Sequence, residues 1–112
     1  MKNLVILLLI LFLSQNSWAQ TENEVAGNHY NEGTKLIGEK KFKEAIVQFD
    51  QAIAIIPHFP EAIFNKGTCL LILKENNEAC NYISQSAQMG YEPAIKYKDK
   101  YCLKQSQKKG NR

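Results

Sequence analysis

Four pairs of equivalent residues stand 34 positions apart in this chain: Gly33 and Gly67, Lys40 and Lys74, Ala45 and Ala79, Phe49 and Ile83. A fixed interval of that length means that one supersecondary unit is used twice. Such a unit cannot bury its apolar face alone, so successive copies must stack and share a core. The expected architecture follows from what each unit contains.

Between residues 40 and 57 the apolar side chains Phe42, Ala45, Ile46, Phe49, Ala52, Ile53 and Ile56 recur every three or four positions, which is one face of a helix. Pro57 ends it, because the residue before a proline is pushed out of the helical region. Upstream, Asn28 to Ile37 forms a shorter helix carrying Tyr30, Gly33, Leu36 and Ile37, with Gly38 placed to take a left-handed end. The plan then recurs. Pro60 suits a first helical turn, Ala62, Ile63, Phe64, Gly67, Leu70 and Leu71 form the inner face, and an Asn of Lys74-Glu75-Asn76-Asn77 caps a helix starting near Glu78. Ala79, Ile83, Ala87 and Met89 face inward from that helix, and Gly90 closes it. Alanine at two inward positions points to close helix crossings: Gly33 is expected opposite Ala45, and Ala52 against the following hairpin, where larger residues overpack by about 1–3 kcal/mol.

The segment HYNEGTKLIGEKKFKEAIVQFDQAIAIIP, residues 29 to 57, resembles a tetratricopeptide repeat. Gly33, Leu36, Phe42, Ala45, Phe49, Ala52 and Pro57 carry the likeness, and it extends without a gap from Ala26 to Phe59. A second unit, 60–91, keeps Gly67, Leu70, Ala79 and Ile83 but departs at Ser86. Its ending, SAQMGYEPA, is similar to shorter-turn relatives of the repeat. The resemblance implies an all-α fold of two helical hairpins; the amphipathic segment 92–105, with Ala94, Ile95, Tyr97, Tyr101 and Cys102 on two neighbouring faces and Cys102 beside Ile95 on the inner one, reads as a helix capping the open end of the stack. The resemblance also implies a concave groove lined by the first helix of each hairpin. The matching positions here are Tyr30, Thr34 and Ile37, then Phe64, Thr68 and Leu71. Aromatic and aliphatic side chains there suit an apolar helix or an extended peptide. They do not match the lysine and asparagine set with which relatives grip acidic C-terminal tails.

Two further features set the context. Lys2 precedes ten unbroken apolar residues, Leu4 to Leu13, and a polar stretch ending Ser17-Trp18-Ala19, the pattern of a secretory signal peptide. The run is half the roughly 20 residues that span a bilayer. Cleavage after Ala19 leaves 112 − 19 = 93 residues, with 20–25 as a linker, no lasting membrane anchor and an oxidising destination, periplasmic or secreted. Charge is asymmetric. From Lys96 onward seven basic residues face Asp99 alone, a net +6, ending in a basic tail over 106–112, whereas the rest of the mature chain carries −4. No aromatic beyond Tyr101 interleaves with that basic run as stacking on bases requires, so nucleic acid is not an expected partner.

Of the cysteines, Cys69 lies inside an apolar helix and reads as a packing residue, while Cys80 and Cys102 would face each other between the fourth helix and the cap. Their disulfide is favoured, and three free thiols are the alternative. Neither a C-x-x-C motif nor a zinc-ligand set is present, since His29 and His58 are too few and too far from other ligands. There is also no phosphate loop, nucleophile elbow or histidine beside a candidate nucleophile. His29 occupies a position usually given to a large side chain in the repeat, and His58 a loop. The expectation is a non-enzymatic interaction module without cofactor or metal, binding a protein or peptide partner. A structural or assembly subunit that self-associates is the other reading, because two repeats are fewer than the three that usually stand alone.

Overall fold

The computed structural model describes residues 2–103, with side chains for all of these except 14–20. Five α-helices follow one another: α1 (Lys2–Gly38), α2 (Phe42–Ile55), α3 (Pro60–Ile72), α4 (Asn76–Gln88) and α5 (Glu92–Tyr97). A π-helical turn over Lys98–Cys102 completes them. No strand occurs among the described residues, and the fold is all-α. Helices α1 and α2 pack as one pair, α3 and α4 as another, α2 joins the pairs through α3, and α5 lies on α4. The basic tail and the last residues assigned to the cap, 104–112, lie outside the described residues.

Local chemistry explains the breaks. After α1, Lys40 N–H donates to Ile37 O and Lys41 N–H to Leu36 O; after α3, Lys74 N–H donates to Leu71 O and Glu75 N–H to Leu70 O. Both are the paired closing bonds of a Schellman end, and each requires a left-handed residue. That residue is Lys40 (φ 61°) and then Lys74 (φ 67°), again 34 apart. The left-handed end therefore falls two residues beyond Gly38, which remains helical. The helix keeps its favourable last turn, at a cost of about 1–2 kcal/mol for a side chain at φ > 0. Gly90 (φ 86°) takes the same role after α4 without that cost, closing Gly90 N–H to Ala87 O and Tyr91 N–H to Ser86 O.

Several expectations are corrected. Residues 20–25 are helical, part of an α1 that begins at Lys2. Gln-Thr-Glu-Asn-Glu-Val contains no proline or glycine to stop it, and Thr21, Glu22 and Val25 lie along Ala54 and Ile55 at the end of α2. Asn76 is the first residue of α4 instead of its cap, and no side chain caps that helix; Glu75 O accepts the Ala79 N–H that starts the ladder. Pro57 is exposed and acts by ending α2 at Ile55, not by packing. In α5, Ala94 is fully buried whereas Ile95 is 36% exposed, so the inner side runs through Ala94 and not Ile95.

The core lies where the helices cross. Leu36, Ala45, Phe49, Ala52, Ala62 and Cys69 form one buried cluster, flanked by Tyr30, Ile37, Phe42, Ile46, Ile53 and Phe59. Ala52 of α2 and Ala62 of α3 share it, as expected of a close contact between the two pairs. Ile63, Gly67, Ala79, Ile83 and Ser86 are buried in the second pair. The glycine contacts differ from the expected Gly33–Ala45 apposition. A Cβ on Gly33 would stand 2.7–3.0 Å from three ring atoms of Phe49, so the glycine makes room for a phenyl ring. On Gly67 it would stand 2.8 Å from Ile83 Cγ1 and 3.2 Å from Ala79 O.

Outside this core, Leu4 to Leu13 project from the start of α1 with every side chain 54–68% exposed. No helix among the described residues is long and apolar enough to cross a membrane.

Candidate functional site

Helices α1 and α3 are each the first of their pair, and they meet through Tyr30 and Asn65. Tyr30 is half-buried: its ring stacks on Phe59 (centroids 5.2 Å, 28° between planes) and tilts against Phe49 at 6.0 Å. Its hydroxyl oxygen accepts from Asn65 Nδ2 at 3.5 Å. The ring is thus fixed by aromatic packing from α2 and the loop before α3, with the polar end left at the surface, the disposition that suits tyrosine at contact surfaces.

Phe64, the equivalent residue 34 positions on, is enclosed differently. Tyr91 and Tyr97 meet it in edge-to-face arrangements at 5.5 and 5.4 Å, and Tyr101 packs on Tyr97 at 4.4 Å. Burial, the Tyr30 hydroxyl and the Glu61 carboxylate together push the Tyr91 phenol above its ordinary value of 10. Burial and the neighbouring Tyr101 raise Tyr97 as well, and Lys100 opposes them in part. Both phenols stay protonated at neutral pH and are hydrogen-bond donors.

The remaining positions of the expected groove divide. Thr34 is exposed and Thr68 half-buried, and each hydroxyl donates to its own helix, Thr34 to Tyr30 O at 3.0 Å and Thr68 to Asn65 O at 2.9 Å. Their hydroxyl protons are therefore engaged within the helix. Ile37 leans on the core cluster, and Leu71 is half-buried. The structure accordingly brings Tyr30, Asn65, Glu61, Phe64, Tyr91 and Tyr97 together as an aromatic surface with a polar edge. Asn65, Glu61 and Tyr91 had no sequence signal to mark them. Tyr97 was assigned only to the cap, because its reach to Phe64 depends on where α5 docks.

A second constellation also escaped the sequence. Lys66 of α3 pairs with Asp50 of α2 at 2.6 Å and sits 4.1 Å above the Tyr82 ring of α4. Burial presses its pKa down, but the bonds and charges of Asp50 and Tyr82 outweigh that and hold it above 10.5. One side chain thereby ties three helices. Ser86, where the resemblance breaks down, stands 34 residues after Ala52 and is fully buried; its hydroxyl donates to Pro60 O at 2.8 Å. The extra oxygen is satisfied by joining α4 to the start of α3.

Cys80 and Cys102 stand at disulfide distance, Cα to Cα 5.6 Å and 22 residues apart. The π turn accounts for the alignment. At 3.6 residues per turn Cys102 would point about 80° away from Ala94, the buried residue of α5; a turn whose bonds span five residues winds less per residue and rotates Cys102 back towards α4. Cys69 is buried and free, its thiol pushed by burial to about 11. His29 Nδ1 lies 2.8 Å from Gln48 Oε1, which fixes the ring between α1 and α2. No group of His, Cys, Asp or Glu among the described residues could hold a metal ion. The surface that α1 and α3 share offers ring faces, an amide, phenol donors and one carboxylate.

Comparison with family models, with curated proteins and with solved structures finds no match to the chain.

Proposed function

We propose that the mature chain is an exported, non-enzymatic interaction module. It would consist of two tetratricopeptide-like hairpins and a cap, and bind a peptide or helix on the surface that α1 and α3 share. The supporting observation is the joining of Tyr30 and Asn65 across those helices, with Phe64 at the position equivalent to Tyr30. Two aromatic anchors fixed by packing lose little side-chain freedom on binding. The export reading rests on the unbroken apolar run Leu4–Leu13, more than half exposed at every residue, and on the Ser17-Trp18-Ala19 ending. The Cys80–Cys102 pair would be oxidised in that destination.

The test is selection of peptides on the mature domain from a random display library, followed by titration of variants. Tyr30→Glu and Thr34→Arg should weaken a selected peptide at least about tenfold, since anchor truncations commonly exceed that. Val47→Glu, on the exposed side of α2, should leave affinity unchanged. Thr34 is exposed, so its replacement spares the fold. Equal binding by all three variants overturns the groove, and a concentration-dependent dimer broken by Thr34→Arg in sedimentation would favour self-assembly instead.

A further inference from the structure

We propose that the segment from Tyr91 to Cys102 is a thiol-controlled lid: the bond between Cys80 and Cys102 latches it over Phe64, and reduction releases it. The consequence for binding rests on the groove reading; the lid itself stands on the structure of the cap.

The cap is built to depend on its latch. Helix α5 has six residues, far fewer than the roughly 12–15 an isolated helix needs to persist in water. Its order therefore comes from what it touches. It packs on α4, and only Ala94 is fully buried; Ile95, Tyr101 and Leu103 are 36%, 36% and 48% exposed. No residue of the segment belongs to the core cluster that unites α1, α2 and α3. Removing the lid thus leaves that core whole. What removal uncovers is specific. Tyr91 and Tyr97 leave the Phe64 ring, and the aromatic end of the shared surface opens.

The two ends of the lid are fixed by different means. The near end is the Gly90–Tyr91 turn, held by main-chain bonds to Ala87 and Ser86, and it stays when the latch opens. The far end is held through Cys102, brought into line by the π turn. In the releasing reaction a thiolate of an external dithiol attacks one sulfur of the pair. The sulfur–sulfur bond breaks, the second cysteine leaves as a thiolate and takes a proton, and a mixed disulfide forms. The second thiol of the reagent then displaces the remaining cysteine. Two electrons pass to the protein, which gains two thiols, and the dithiol becomes a disulfide. Cys69 takes no part, being buried in α3 with a raised pKa.

Hydrogen exchange read by mass spectrometry on the full chain, oxidised and after dithiothreitol, tests this without any partner. Cys80→Ser/Cys102→Ser without reductant serves as a second unlatched form. Amides of 91–103 should exchange at least about tenfold faster when unlatched, given the loop-closure entropy such a bond supplies, while those of α2 and α3 hold their protection. Unchanged exchange in 91–103 overturns the lid, as does loss of protection throughout, which would make the bond a staple of the whole fold. Labelling of all three cysteines in freshly exported protein overturns it too. A lid that opens on a chain that selects no peptide would leave the latch standing and sink only the groove.

Discussion

The glycines of this chain divide by what surrounds them, and that division makes a sharp comparison at the residue scale. A methyl group on Gly33 would meet the Phe49 ring at 2.7 Å, whereas on Gly27 or Gly38, in the same helix, it would meet nothing within 4 Å. Alanine at the two open sites should stabilise by about 0.5–1 kcal/mol through helix propensity. Gly33→Ala gains the same term and loses about 1–3 kcal/mol to overpacking against a fully buried ring, so it should be net destabilising. Urea midpoints of the three variants check the signs. Cys69 offers a second test. Its folded pKa of about 11 lies above the ordinary 9.0, so between those values the unfolded chain loses the proton first. The thiol therefore leaves stability untouched below about pH 9 and lowers it as pH rises towards 11. Cys69→Ala should show a smaller drop over that interval in urea melts at fixed pH.

Elements are joined here by a few polar devices laid over apolar crossings. Lys66 reaches from α3 to Asp50 on α2 and to the Tyr82 ring on α4. An ion pair with one exposed partner contributes up to about 1 kcal/mol, and a cation over a ring about 0.5–1 kcal/mol. Lys66→Met, which keeps the stem and removes the charge, should cost about 1 kcal/mol by the same measures. Adding Asp50→Asn to it should cost little more, and a double-mutant cycle of denaturation midpoints reads that coupling. The element pattern was largely legible beforehand. Apolar spacing marked α2, α3 and α4, and proline marked the end of α2 and the start of α3. Gly90 marked the left-handed end of α4, but those of α1 and α3 were not legible, because Gly38 is the residue that tolerates φ > 0 best. The chain instead places them at Lys40 and Lys74, where the closing bonds to Leu36 and Leu70 require them.

On the scale of the molecule, a ten-residue apolar run, 54–68% exposed at every residue, sits beside a domain with its own core. Removing it should leave that domain's contacts intact from Ala26 onward, since Ala26 is already fully buried within the helical pair. The mature chain is expected to start at Gln20, and intact-mass measurement of exported protein should show loss of residues 1–19. A mass that retains Leu4 to Leu13 would count against export by cleavage. The candidate surface was half legible at this scale. Tyr30 and Phe64 came from the resemblance to the tetratricopeptide repeat, but Asn65 joins Tyr30 only where α3 meets α1, and Tyr91 and Tyr97 reach Phe64 only through the way α5 and its preceding turn dock.

By itself, then, the sequence determined the all-α class, the interval of 34 and the small residues at the helix crossings. Each of these is a matter of local periodicity or of side-chain size, which are written along the chain. Tertiary structure decided the rest. It set Gly33 against Phe49 instead of Ala45, turned Ala94 inward and Ile95 outward, and wound Lys98–Cys102 as a π turn so that Cys102 meets α4. Those outcomes depend on the angle and depth at which one helix docks on another. Docking is settled by the summed packing of many side chains at once, and no single stretch of sequence contains that sum.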